Sequence, residues 1–139
     1  MTAAVFHMEL RAGVRQHLNG LTSLPPVAWE GKAFAPVRGQ AFVSEVMVPV
    51  SSAVRGTGRG GYIAHTVMAN FTLHHPANAG TSAIETLAGR ILQHFAPGTA
   101  IAYGSSSAIV QEAEVAGLIQ EPDWVSMTVA VNMVGHTTN

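Results

Sequence analysis

The segment Arg55–Gly61 contains four glycines and two arginines, and Gly56-Thr57-Gly58-Arg59-Gly60-Gly61 matches G-x-G-x-x-G. In a dinucleotide-binding loop these glycines let the backbone approach a pyrophosphate, which sits on the N-terminus of the helix that follows. Here the next residues, Tyr62-Ile63-Ala64-His65-Thr66-Val67, alternate like a strand, so no helix end is offered. The acidic residue due about 20 positions later is also missing, because Thr81 stands there and Glu85 belongs to a helix cap. No Gly-Lys-Ser/Thr occurs, which excludes a Walker loop. The stretch reads as a loop between antiparallel strands, with glycines that give mobility and positive φ. Arg55 and Arg59 would then be two solvated charges in a monomer and a ring of cations in a cyclic assembly.

Other chemistry is sparse. There are seven histidines and no cysteine, so disulfides, thiolate metal sites and cysteine nucleophiles are excluded. His74 and His75 are adjacent, so on a strand they point to opposite faces, and no H-E-x-x-H or H-x-H occurs. His65 lies on the apolar side of its strand and reads as a satisfied core or interface histidine. The carboxylates are Glu9, Glu30, Glu45, Glu85, Glu112, Glu114, Glu121 and Asp123. Glu112 and Glu114 share a strand face and Glu121-Pro122-Asp123 occupies a turn, patterns that solvated surfaces explain. No G-x-S-x-G elbow is present. Accordingly no catalytic, cofactor-binding or metal-binding residue is assigned. Met47, Met68, Met127 and Met133 fall at strand spacing as core or interface filler; of these, Met47, Met68 and Met133 are the expected subunit-interface residues.

The elements that carry these residues are legible from periodicity. Phe6, Leu10, Val14 and Leu18 predict a helix over 3–19, stopped by Asn19-Gly20. Pro25-Pro26 forbids helix, and Val27–Glu30 reads as a short strand anchored by Trp29. The segment 41–50 reads as a strand with Phe42, Val46, Val48 and Val50 on its apolar face. Tyr62–His74 alternates, with Ile63, His65, Val67, Ala69, Phe71 and Leu73 together. Ser82 and Glu85 have capping-box spacing, and Ile84, Leu87, Ile91, Leu92 and Phe95 make a helical stripe over 82–95. Strands are expected at about 107–115 and 124–134. Adjacent runs of strands predict an α+β fold: a small, mainly antiparallel or mixed sheet of 4–5 strands with an N-terminal and a central helix packed on it. The whole chain, 1–139, reads as one domain, with a mobile loop at about 51–61 and a frayed C-terminus at about 135–139.

The bulk composition bears on assembly. Hydrophobic residues make up 47% and charged residues only 11%, against about 25% charged in a typical soluble domain. Charge depletion is a property of surfaces that meet other subunits, so oligomerisation is expected. The net charge of -1 lacks the basic footprint of a nucleic-acid binder. No signal peptide or membrane span is expected.

In its order of elements the chain resembles a known family. "VRQHLNGLTSLPPVAWEGKAFAPVRGQAFVSEVMVPV" resembles the N-terminal half of the tail terminator proteins of long-tailed phages (siphoviruses), the lambda tail-terminator-like group, also called minor tail or tail completion proteins. The likeness continues through the glycine loop, the Tyr62–Leu73 strand, "ILQHFAPGTAI" and the last strand "WVSMTVAVNM", and covers roughly residues 5–134. It implies a non-enzymatic virion protein without cofactors. Such a protein would form a homo-hexameric ring on the head-proximal end of the tail tube, stop tube polymerisation and offer the head-tail connector a surface. Its partners would be itself, the tube protein and the connector, with genomic DNA passing through the lumen without sequence-specific binding; assembly would take place in the host cytoplasm. The loop residues Arg55, Gly56, Gly58, Arg59, Gly60 and Gly61 would then face the lumen or the tube. Two alternatives are a connector or completion ring of the stopper or adaptor type and, more remotely, a small-molecule-binding α+β domain.

Overall fold

A computed structural model describes residues 3–56 and 61–138. The chain runs α1 (Ala3–Asn19), β1 (Val27–Ala28), β2 (Phe42–Val54), β3 (Tyr62–Pro76), α2 (Ser82–His94), β4 (Ala100–Tyr103), β5 (Ser106–Val115), β6 (Ile119–Gln120) and β7 (Trp124–Thr138). All strands join one sheet in the order β1-β2-β3-β7-β5-β4, with β6 beside β7. Only the β1–β2 pairing is parallel. The fold is α+β, as the clustered strands imply.

Both helices bury their stripes against one face of this sheet. Phe6, Leu10, Val14 and Leu18 of α1 and Ile84, Leu87, Ala88 and Ile91 of α2 enter one core. The sheet supplies Val43 and Met47 from β2, Val67, Ala69, Phe71 and Leu73 from β3, and Val129, Val131 and Met133 from β7. At about 25 cal/mol per Å² of apolar surface removed from water, this shared cluster is the main term holding the layers together. The opposite face carries Thr66, Met68, Asn70 and Thr72 on β3, in register with Val134, Asn132, Ala130 and Thr128 on β7.

Several expectations change. The sheet has seven strands rather than 4–5, because β4 and β6 are four and two residues long and too short to show a period. The expected loop at 51–61 shrinks, since Ser51, Ser52, Ala53 and Val54 pair with Thr66, His65, Ala64 and Ile63 past a bulge at Pro49/Ser51. The expected fraying at 135–139 is overturned over the described part, because β7 runs to Thr138 opposite Tyr62 and Thr137 is buried. Val46, Val48 and Val50 are exposed, so the core face of β2 is instead that of Val43, Glu45 and Met47. A charged Glu45 among apolar neighbours had disguised that face. The Ser82/Glu85 capping box does not form; Thr81 is the N-cap, without a side-chain bond.

Candidate functional site

The glycine loop rises from the ends of β2 and β3. The Arg55 N–H donates to the Tyr62 carbonyl at 2.7 Å, and Arg55 is exposed. Gly56 and Gly61 close the neck: a Cβ on Gly61 would stand 2.9 Å from the Gly56 carbonyl oxygen, so this crossing requires glycine. Gly58, Arg59 and Gly60 lie outside the described residues. The loop joins strand to strand, so the phosphate-binding geometry of a dinucleotide fingerprint is absent from its flanks.

Beneath the loop sits His65, 4% exposed. Its Nδ1 is 2.7 Å from the Ser52 Oγ and its Nε2 is 2.8 Å from the Thr137 Oγ1. Phe6 stacks on the ring at 4.7 Å, and His7 meets it edge-on at 5.5 Å. Burial holds the His65 pKa below the usual histidine value, and the charges of His7 and His136 push it the same way. A neutral ring suits this place, with one nitrogen donating to a hydroxyl and the other accepting from one. The Ser52–His65 distance would serve a nucleophile–base pair, but the second nitrogen meets a hydroxyl where a triad places a carboxylate. The cluster therefore ties β2, β3, β7 and α1 together, as a satisfied core histidine does. His74 stacks on Phe42 at 4.3 Å and lies 3.3 Å from the Ser44 Oγ. Among the described residues no cluster of three or more His, Asp or Glu could hold a metal ion.

A second polar group, which the sequence did not reveal, fixes the approach to β2. Glu45 is 1% exposed. Its Oε2 accepts from the Arg15 Nε at 2.9 Å, and its Oε1 from the Arg15 Nη2 at 3.2 Å and the Glu30 N–H at 3.1 Å. Arg15 also donates to the Glu30 carbonyl at 2.8 Å and lies 5.3 Å from the Trp29 ring centroid. The Glu30 side chain accepts from Arg11 at 2.5 Å and from the Met47 N–H at 3.0 Å. These two donors, Met47 first, hold the Glu30 pKa below the ordinary carboxylate value. The "WE" of the sequence is thus a clamp between α1 and the edge of β2. Its available signal was Glu45 itself, a charge at an inward strand position.

Two further contacts place the helices. The Nε2 of His17 donates to the His94 carbonyl at 2.7 Å and the Nε2 of His94 to the His17 carbonyl at 2.6 Å, with the rings stacked at 4.1 Å. Each helix end thereby satisfies a carbonyl of the other. Glu9 accepts from the hydroxyls of Ser105 (3.0 Å) and Ser106 (2.8 Å), which holds the β4–β5 turn under α1. Along β4 a groove of about 360 Å³ is lined by Gly13, Gln16, His17, Gly20, His94, Ala100, Ile101 and Ala102.

The expected interface methionines separate. Met47 and Met133 are 5% and 0% exposed inside the subunit's own core, so their surface is already spent on internal packing. Met68 is half-buried on the face away from the helices. Glu112 and Glu114 are exposed, in register with Asn132 and Ala130 on that same face.

No helix among the described residues is long and apolar enough to cross a membrane. One solved structure, of a protein without a functional name, aligns with 96% of this chain and 96% of its own at 16% identity, with a TM-score of 0.69. At that identity the likeness speaks for the fold. No curated protein matches. A family profile described as "Phage tail terminator protein" matches residues 9–133, from Glu9 against the β4–β5 turn to Met133 in the core face of β7. That span takes in the buried stripe of α2, that of α1 from Leu10 onward, the Arg15–Glu45 clamp and the glycine loop, and on it the chain belongs to the phage tail terminator family.

Proposed function

We propose that this protein forms a hexameric ring on the head-proximal end of a siphovirus tail tube, ends tube polymerisation there and presents the surface on which the head is joined. The observation that carries this reading is the family match over residues 9–133. The chemistry of the chain supports it: His65 is held by two hydroxyls, and the buried carboxylate Glu45 is consumed by an arginine clamp. The protein acts through surfaces rather than catalysis, without metal or cofactor. Ending a polymer needs one face that fits the tube end and another that refuses further tube subunits. A head-to-tail ring that closes at a fixed rotation provides both. Arg55 lies at the base of the glycine loop, so six copies of that loop would line the lumen or the tube contact, through which DNA passes without base-specific recognition.

The test is electron microscopy of purified protein mixed with isolated tail tubes and with portal-bearing heads. Sixfold rings on one tube end, with no further tube growth, are expected. Binding to heads with tubes left bare would assign the protein to the connector. As a check on the loop, joint Arg55→Glu and Arg59→Glu replacement is expected to change tail length or infectivity, and unaltered virions would remove the arginines from the mechanism.

A further inference from the structure

Beyond the two residues of β1, the sheet is bordered by β2 on one side and β4 on the other, and both are open over one short stretch. In an antiparallel ladder alternate residues turn their backbone groups away from the partner strand. Along the outer side of β2 those groups are mostly occupied. The Val43 N–H donates to the Pro26 carbonyl at 2.9 Å, β1 pairs alongside Val43 and Ser44, and the Met47 N–H donates to the Glu30 carboxylate at 3.0 Å. Pro49, next in this series, has no N–H. Prolines and inserted charges of this kind protect an edge from another chain.

Protection stops at the bulge. Since the Arg55 N–H bonds inward to Tyr62, Ser52 and Val54 turn their backbone outward, and among the described residues no strand lies along them. Val50 and Val54 are 55% and 64% exposed there. On the far side of the sheet, Val110 exchanges backbone bonds with Thr99 and Gly98 at 2.9 and 2.8 Å. That sets Ile101 toward β5 and turns Ala100 and Ala102 outward.

The two open stretches lie level with each other. Ser52 pairs with His65, His65 with Gly135, Gly135 with Ala108 and Ala108 with Ile101, one unbroken row across the sheet. They are also similar in length, the five residues 50–54 against the four of β4. Four antiparallel pairings separate β2 from β4, so the two strands run in the same direction. Val54 shares the helix-side face with Ser52 and His65, and the 360 Å³ groove opens on that side of β4, between Ala100–Ala102 and the small Gly13. An added strand would place its helix-side residues in that groove.

We propose that residues 50–54 of one copy add to β4 of the next as a parallel pair, so that the sheets run on from subunit to subunit. The occupant of each edge is a second copy of this chain. The pairing is head-to-tail, because one edge meets a different edge, and such contacts close into rings. The proposal rests on the ring reading above and specifies its seam.

The chain has no cysteine, so introduced cysteines report without background. Adjacent strands bring Cα atoms within disulfide range. The double variants Ala53→Cys/Ala100→Cys and Ala53→Cys/Ala102→Cys, whose positions share the face away from the helices, and Val54→Cys/Tyr103→Cys on the helix side, are assembled on tail tubes and oxidised. At least one is expected to give a covalent ladder ending at a closed ring. The single-cysteine variants give no ladder, since in a head-to-tail seam each site meets an unlike site. Rings seen by microscopy with no ladder from any pair would overturn the seam and leave the ring standing. Absence of rings on tubes would overturn both. A second variant, Val54→Pro, removes an outward N–H: the melting temperature of the unassembled protein is expected to hold within about 3 °C while ring formation is lost. Unimpaired rings, or a melting temperature lowered well beyond that, would overturn the outward orientation on which the seam depends.

Discussion

Truncating Arg15 to alanine tests whether the clamp, rather than general packing, holds α1 to the sheet. Glu45 has no exposed side-chain surface and Arg15 is 23% exposed. The substitution removes both donors at 2.9 and 3.2 Å and leaves the carboxylate with the Glu30 N–H at 3.1 Å and the more distant Arg11 at 3.7 Å. Breaking a buried pair by deleting one partner costs about 3–5 kcal/mol, because a charge is left uncompensated. The partial exposure of Arg15 and the surviving Arg11 contact place the expected cost near about 3 kcal/mol, the lower end of that range. Against a total stability of about 5–15 kcal/mol this is a large fraction. With a urea m-value of about 1–3 kcal/mol/M, the midpoint falls by about 1–3 M. Trp29, 5.3 Å from the guanidinium, gives a local readout, and its emission is expected to shift to the red as its cover is lost. The double variant Arg15→Leu/Glu45→Leu removes the stranded charge and is expected to cost less than Arg15→Ala alone. A loss under about 1 kcal/mol for Arg15→Ala, the value of an exposed pair, or strictly additive losses in the double variant, would refute the reasoning.

Two further outcomes follow from the packing and the titrating groups. In Gly135→Ala the new Cβ would stand 2.5 Å from the Phe6 Cζ and 2.6 Å from the Ser107 carbonyl oxygen. Overpacking costs about 1–3 kcal/mol, and a backbone obstacle sets the upper end, measurable as a lower urea midpoint. For pH, His65, His74 and His75 all have lowered pKa values, burial being the first cause in each. The unfolded chain takes up protons near the ordinary value of about 6.5 while the native state resists them, so stability is full above that pH and declines as pH falls below it. Glu30 acts in a lower window: its lowered pKa contributes stability that is present above the ordinary carboxylate value and is lost as pH falls through the lowered one. Urea midpoints measured from pH 8 to pH 3 should fall in these two stages. His65→Asn should shrink the first stage, leaving the shares of His74 and His75, and Glu30→Gln should shrink the second, and unchanged profiles would contradict both assignments.

Much of the fold was legible because periodicity reports local geometry. Phe6, Leu10, Val14 and Leu18 recur with the helix, and the alternation through Tyr62–Leu73 places His65 inward, where the structure finds it bonded on both sides. The same signal failed on β2. Both of its faces carry valines, and only the position of the helices decides that Val43 and Met47 are inside while Val46 and Val48 are exposed. Strands of two to four residues contain no full period, so β4 and β6 emerged only from their partners, while β1 was marked by the prolines before it rather than by alternation.

The sequence by itself determined the fold class, the two helices, the long strands, the lack of thiol chemistry and the refusal of the glycine motif as a nucleotide loop. Each rests on neighbours along the chain, where spacing and residue type are sufficient. Tertiary structure alone decided that Glu45 is buried against Arg15, that Met47 and Met133 belong to the subunit's own core, and that the open stretches of β2 and β4 lie on one row of the sheet. Residues 52 and 101 share that row because three strands between them pair in register, and pairing over such separations is set by the packing of whole layers.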